Sequence, residues 1–315
     1  MISSSDNKKQ IKSLLRELPY SGHNICISHG QFNNLIPYCN LPTKKHLERL
    51  PSFHDIDLFS LNLDSRSSLD SELTPFRHVR CNYHSPHSFS QLRKTMTKKL
   101  SENHFSLLHN NIRSLKHNLE KLQTHLLVEL GHHFDVIGIT ETKIRNSNFN
   151  FNPTIPGYNF EFVPTPLSAG GVGMYIDTDL KYSVIEKTSN ESFQALWIEI
   201  HMQKSNIICG VIYRQHNTPE RFLTYFDDTI EKFSASGKNI YLMSDTNINL
   251  LRSSTCKFAK NFFFSLQSLN MIPTIDKPTR VCNNSATLID NIFINQPSQE
   301  VFSGNIISDI SDHFT

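Results

Sequence analysis

Cysteine is scarce in this sequence, with six in 315 residues, at positions 26, 39, 81, 209, 256 and 282. They are scattered, so no disulfide framework is on offer, and reduced thiols in an intracellular compartment are the simplest reading. Long apolar runs are also missing. None reaches the about 18–20 residues that a membrane span needs, and mean hydropathy is −0.36. The first residues, Met1-Ile2-Ser3-Ser4-Ser5-Asp6, lack a basic stretch leading into an apolar one, which excludes a readable signal peptide. A strong charge of one sign is absent as well, because the net charge is only +2. Residues 1–100 carry 14 Lys and Arg against 8 Asp and Glu, and residues 101–315 carry 17 against 21. A polyanion held by the second part would therefore need a local arrangement of cations rather than a globally basic surface. What the chain does have is length and 38% hydrophobic residues, enough for one large domain with an appendage.

The appendage is residues 1–102. It lacks sustained periodicity, contains the polar stretch Leu63-Asp64-Ser65-Arg66-Ser67-Ser68, and has short helical candidates at 7–18 and 43–50. We expect a poorly ordered or partly helical extension, with local structure near 76–100 and a solvated amphipathic helix in the basic segment 92–100. Order begins near Phe105. The patterning predicts a strand at 105–109, a helix over 116–131 on Leu119, Leu122, Leu126 and Leu127, and a buried strand at 135–140. Further strands are predicted at 170–176, 193–200, 207–213, 239–243 and 288–294, with 193–200 and 207–213 as neighbours turning near 204–206. Helices are predicted from Pro219, with Thr218 as N-cap, to about Phe233, and over 255–268. Strands and helices in this order predict an α/β domain spanning 103–315 with mixed sheets.

Polar residues recur where these strands end. Glu141 follows Ile137-Gly138-Ile139-Thr140, and Asp245 and Asn247 follow Tyr241-Leu242-Met243-Ser244. Asp290 sits inside the apolar run Leu288–Phe293, where a carboxylate needs a partner. Asp312 and His313 close the series in Ser311-Asp312-His313. Strand ends are where α/β sheets gather active sites. Carboxylate and amide oxygens suit Mg²⁺, and a histidine beside a carboxylate takes protons near neutral pH. Each residue alone has a plainer reading as a turn former, cap or surface charge; the ordered set is the argument.

Eight segments carry a resemblance. They are Asn110–Leu115, Ile139-Thr140-Glu141-Thr142, Gly170–Tyr175, Val211-Ile212-Tyr213-Arg214, Ser244–Leu251, Thr279-Arg280, Ser285–Asp290 and Ser311-Asp312-His313. In this order they resemble the endonuclease/exonuclease/phosphatase superfamily, most closely the AP-endonuclease-like endonuclease domain of non-LTR (LINE-type) retrotransposons. The resemblance implies a four-layered α/β sandwich of the DNase I-like kind, two mixed sheets packed face to face with helices outside. It implies Mg²⁺ (or Mn²⁺) held by Glu141 with Asn111 and Asp312, and Asp290 orienting His313, which contacts the scissile phosphate and helps activate water. Asp245 and Asn247 position that water or stabilise the transition state, and Tyr213 donates a hydrogen bond to the phosphate or leaving group. The implied activity is DNA nicking for target-primed reverse transcription, in a protein of the nucleus or cytoplasm normally fused to a reverse transcriptase, with no obligate protein partner evident. Other readings are a repair nuclease, an RNase, a phosphoinositide phosphatase or an inactive truncated element.

The sequence departs from the family pattern in three respects. Ser244 and Thr246 stand where Gly and Phe are usual. The choice of Asn111 over Asn110 rests on register. The relatives continue past Ser-Asp-His into a final strand, so we expect that strand to be missing, leaving an unpaired sheet edge and His313 on a frayed end. Cys26, His29, Cys39 and His46 form a faint zinc pattern that fits no compact finger. Gly170-Gly171-Val172-Gly173 opens a strand rather than a helix, which argues against a nucleotide cradle and for close packing beside the site. Trp197 is expected in the core.

Overall fold

The computed structural model describes residues 81–99, 104–146, 150–216, 219–282, 285–296 and 301–315. The helical candidates at 7–18 and 43–50, the Cys26–His46 pattern and the Thr218 cap lie outside the described residues. The described residues other than Val281–Ala286 form one compact unit.

In chain order the elements are β1 (Asn82–His84), α1 (Phe89–Lys99), β2 (Leu107–Asn111), α2 (Leu115–Lys121), β3 (Val136–Thr140), β4 (Tyr158–Val163), β5 (Val172–Asp177), β6 (Tyr182–Ser189), β7 (Phe193–Ile200) and β8 (Ile207–Arg214). They continue with α3 (Pro219–Ser234), β9 (Asn239–Asp245), α4 (Lys257–Ser268), β10 (Ile272–Pro273), β11 (Arg280–Cys282), β12 (Ser285–Thr287), β13 (Asp290–Ile294) and β14 (Gly304–Ile306). One sheet has the order β10-β13-β9-β8-β7-β6 and the other β2-β3-β5-β4. Both are mixed: β8–β9 and β2–β3 run parallel, while β7–β8, β9–β13 and β3–β5 run antiparallel.

The strand sequences explain this placement. β3 (Val-Ile-Gly-Ile-Thr) and β8 (Ile-Ile-Cys-Gly-Val-Ile-Tyr-Arg) are buried along their whole length, as central strands covered on both faces must be. Between the sheets, Val136, Val172, Met174 and Ile176 from one pack with Leu196, Ile198, Val211 and Met243 from the other. The sheets approach closely at Gly138, where any Cβ would run into the Met243 side chain. On the outer face of the six-stranded sheet, Phe222, Phe226 and Ile230 of α3 meet Phe262 and Leu266 of α4. Over the four-stranded sheet lie Leu115 and Leu119 of α2, then Leu122 and Leu126. The layers are thus helix, sheet, sheet, helix, as expected for a four-layered sandwich.

Two expectations need adjustment. The predicted helix at 116–131 begins at Leu115 and passes into π-helical turns over Leu122–Val128. This widening keeps Leu122 and Leu126 buried and leaves Leu127 only partly so. The end of the described chain is not frayed. The amide of Phe314 donates to the Thr279 carbonyl at 2.6 Å, and Thr315 and Ile306 exchange backbone hydrogen bonds of 2.9 and 2.6 Å. The Phe314 ring is buried and meets Tyr83 edge-on at 5.6 Å. His313 therefore rests on a fixed backbone.

Candidate active site

The polar strand ends converge at one edge of the sandwich. Asn111 closes β2, Glu141 follows β3, Tyr213 lies near the end of β8, Asp245 closes β9, and Asp290 opens β13. Register brings the last three together: Tyr213 pairs with Asp245 across the parallel β8–β9 ladder, and Asp290 lies opposite Asp245 on the antiparallel β9–β13 ladder. Two carboxylates facing each other across a ladder destabilise a sheet unless something compensates.

Part of the compensation is an amide. The Asn111 Nδ2 donates to Glu141 Oε1 at 3.0 Å and to Asp245 Oδ2 at 2.7 Å, and its Oδ1 accepts the Arg113 amide at 3.1 Å. Asn111 thereby links the two sheets. Asn110, one residue earlier and on the opposite side of the strand, instead donates to Thr315 Oγ1 at 2.7 Å.

The second part is a histidine. His313 Nδ1 lies 2.8 Å from Asp290 Oδ2 with both side chains buried. The Thr279 hydroxyl accepts the amides of Ile289 and Asp290, fixing the start of β13. Burial by itself would lower His313, but the Asp290 charge and hydrogen bond prevail and raise it to about 9. Burial by itself would raise Asp290, but the His313 charge and hydrogen bond hold it below the usual carboxylate range. Asp245 feels the His313 charge more weakly and accepts its hydrogen bond from the neutral Asn111 amide instead. Burial, then the Asp290 carboxylate, push its pKa well up. Behind this pair, buried His109 is lowered to about 4 by desolvation.

Ligand atoms of Glu141, Asp245 and His313 all lie within 4.8 Å of one another. Two carboxylates at a buried edge, one of them strained toward protonation, form a donor set that a hard divalent cation would relieve. Asp312, expected beside Glu141, is not in this cluster. Its Oδ1 lies 2.6 Å from an Arg113 guanidinium nitrogen, and its Oδ2 accepts Arg280 Nε at 2.8 Å and Nη2 at 2.6 Å.

The loop after β9 is clamped from beneath. Arg214 donates to the carbonyls of Thr246 and Asn247, and Asn247 Nδ2 donates back to the Arg214 carbonyl at 2.7 Å. Asn247 sits at φ 51° and Glu141 at φ 52°, both left-handed. Non-glycine residues held there mark backbone constrained for a purpose. Tyr213 is buried, and burial followed by the charges of Glu141 and Asp245 keeps its phenol protonated.

Of the nine sequence-derived roles at eight residues, the structure gathers Asn111, Glu141, Tyr213, Asp245, Asn247, Asp290 and His313 at this edge and directs Asp312 to two arginines. The sequence reading gave no role to Arg113, Arg214, Thr279 or Arg280. All four lie in segments already singled out, but the partners of the three arginines are far away in sequence.

Beside the cluster opens a cleft of about 720 Å³. Arg113, Lys116, His117, Lys143, Arg145 and Phe151 help to line it, and among the described residues no acidic one does. Lys143 Nζ lies 3.8 Å from Glu141 Oε2, so one residue of the cleft wall touches the cluster.

A family model described as "Endonuclease/Exonuclease/phosphatase family" matches residues 111–313. No curated protein matches the chain. Among solved structures, the endonuclease domain of TRAS1, a telomere-specific non-LTR retrotransposon, aligns at 13% identity and TM-score 0.52, covering 67% of this chain and 95% of that one. An AP endonuclease from Archaeoglobus fulgidus aligns at 14% identity and TM-score 0.49, covering 67% and 97%. The Neisseria 3′ phosphatase NExo, bound to product DNA hairpin, aligns at 14% identity and TM-score 0.46, with the same coverage.

Proposed function

The chain belongs to the endonuclease/exonuclease/phosphatase family, and from that premise we propose that it is a Mg²⁺-dependent DNA endonuclease. The observation that carries the choice of a polymer is the basic cleft. Four Lys and Arg side chains and His117, with no acid among the described lining residues, line a groove whose Lys143 contacts Glu141. A small phosphate ester would fill only the cluster, whereas a phosphodiester backbone continues along such a groove and releases counterions from it.

Glu141, with Asp245 at hand, would hold Mg²⁺ or Mn²⁺, which when bound neutralises charge on the non-bridging phosphate oxygens. The chain's own groups do the rest. Asp290 fixes the His313 ring with a proton on Nδ1. Raised to about 9, the imidazole is protonated at neutral pH and presents a second N–H, from Nε2, to a phosphate oxygen. Asp245, its carboxyl pushed up by burial and Asp290, accepts the proton of the attacking water. Asn111 holds Glu141 and Asp245 apart at fixed aim. The Tyr213 hydroxyl donates to the leaving oxygen. A nick of this kind leaves a 3′-hydroxyl, the primer for target-primed reverse transcription. The likeness to the TRAS1 domain and the Thr279-Arg280 and Ser285–Asp290 segments support placing the activity there, with a nuclear site of action.

The test is nicking of supercoiled plasmid in Mg²⁺ and in EDTA by wild type, Glu141→Gln and His313→Ala. Open circles formed by wild type in Mg²⁺ alone, with each variant slowed by about 10²-fold or more, are expected. Intact plasmid alongside consumed RNA or phosphoinositide overturns the substrate.

A further inference from the structure

Tyr213, Asp245 and Asp290 lie opposite one another on β8, β9 and β13, and this row has a fourth member. On β7, Gln194 pairs with Tyr213. Side chains opposite one another on neighbouring strands share a face. Along β7 that face carries Leu196 and Ile198 into the space between the sheets, while Phe193 and Ala195 turn toward the helices. Gln194 is therefore an amide fully buried between the sheets, in line with the reacting edge. An amide there is costly unless its donor and acceptor ends are bonded.

Both ends are bonded, and to backbone. Gln194 Nε2 donates to the Asn190 carbonyl at 2.7 Å, which anchors the side chain just ahead of its own strand. Gln194 Oε1 accepts the Gly171 amide at 3.0 Å, from the residue that precedes β5 of the other sheet. Gly170 and Gly171 have φ of 100° and 83°, so the turn they make depends on glycine. Their carbonyls face the loop after β3. Gly171 accepts the Thr142 amide at 3.2 Å, and Gly170 accepts the Lys143 amide at 2.9 Å. Those amides directly follow Glu141, and Glu141 and Lys143 hold left-handed φ values of 52° and 56°. Non-glycine residues persist there where the surroundings over-determine them. Asn111 fixes the Glu141 carboxylate, the glycine carbonyls fix the backbone from which it projects, and Gln194 fixes the glycines.

We propose that Gln194 is a positioning residue for Glu141, acting through the Gly170–Gly171 turn, so that a strand of one sheet sets the aim of a metal-binding carboxylate on the other. The proposal rests on the reading of Glu141 as a metal ligand. Partners that orient a ligand in this way commonly carry about 10–100-fold in metal affinity.

Gln194→Met keeps the volume and removes both hydrogen bonds. Gln194→Glu keeps an oxygen for Gly171. Tyr225→Phe is the control: its hydroxyl donates to Glu186 and accepts the Trp197 indole N–H, so its loss loosens the helix-facing side of the same strand. Amide hydrogen exchange at Thr142 and Lys143 should quicken by about tenfold or more in Gln194→Met and stay near wild type in the other two. Mn²⁺ binding without DNA, followed by the paramagnetic signal of the free ion, should weaken by about 10–100-fold in Gln194→Met and stay within about twofold in Tyr225→Phe. In plasmid nicking at saturating Mn²⁺, Gln194→Met should lower kcat with KM for DNA nearly unchanged. Unchanged exchange at Thr142 and Lys143 in Gln194→Met overturns the proposal, because the turn then stands without the amide. Exchange in Gln194→Glu as fast as a lost turn requires does the same. Faster exchange with unaltered Mn²⁺ affinity overturns the link to Glu141. Equal loss of Mn²⁺ affinity in Tyr225→Phe reduces Gln194 to general stability. Wild type that takes up no Mn²⁺ overturns the metal reading of Glu141, and the positioning role with it.

Discussion

The Nδ1 of His313 and the Oδ2 of Asp290 lie 2.8 Å apart, with side-chain exposures of 5% and 4%. A charge pair this dry is costly to break, because either partner alone would be buried without compensation. Asp290→Asn keeps the shape and loses the charge. The ring then loses the partner that orients it and keeps it protonated, and the turnover number should fall by about 10²–10⁴-fold with little change in KM. In the same variant the His313 imidazole should titrate well below wild type, readable by NMR. A titration unmoved by the substitution sinks the pairing.

The pair also sets a pH window for stability in EDTA. His313, raised to about 9 when folded against about 6.5 unfolded, contributes stability fully below the unfolded value and loses it as pH climbs through 9. Asp290, depressed when folded, contributes above about 4 and loses it as pH falls. His109, held neutral until about 4, opposes folding as pH drops below its unfolded value. Tm should therefore decline from pH 6.5 toward 9, and Asp290→Asn should flatten that decline. A parallel decline in both proteins is the contrary result.

Gly170 supports the site from the side. It sits at φ 100°, and a Cβ there would meet the amides of Gln194 and Gln215. Gly170→Ala should cost about 1–3 kcal/mol in urea unfolding. It should also slow cleavage by displacing Gln215, which follows Tyr213 and Arg214.

Arg214 is buried and holds the left-handed turn at Asn247 through two carbonyls. Lysine cannot reach both. Arg214→Lys should lower turnover by about tenfold or more with KM nearly unchanged, since it loosens aim rather than binding. A shift confined to KM points to substrate contact instead.

The legibility of this fold in its sequence followed burial. β7 and β8 could be read nearly to the residue because their apolar runs are flanked by polar turns. Asp290 drew notice because a carboxylate interrupts such a run. β6 escaped because Val184, Ile185 and Glu186 on that edge strand are largely outside the core, leaving no face to alternate against. β4 escaped although Tyr158, Phe160 and Phe162 alternate, since a proline-rich approach masked it. At the site, residue types at strand ends were legible because chemistry limits them to a few kinds. Their partners were not. Arg113 and Asp312 are 199 residues apart, and nothing local in either segment announces the other. The fixed backbone at His313 was unforeseen for the same reason, because it rests on Ile306, Thr279 and Tyr83.

Asn111 joins Asp245 across 134 residues and across the two sheets. Neither sheet alone can build the reacting group, since one supplies Glu141 and the other supplies Asp245 and Asp290. During synthesis the first sheet is complete long before β13 and His313 emerge. A nascent or half-folded chain therefore lacks the assembled reacting group, which exists only once the two halves of the sandwich have closed.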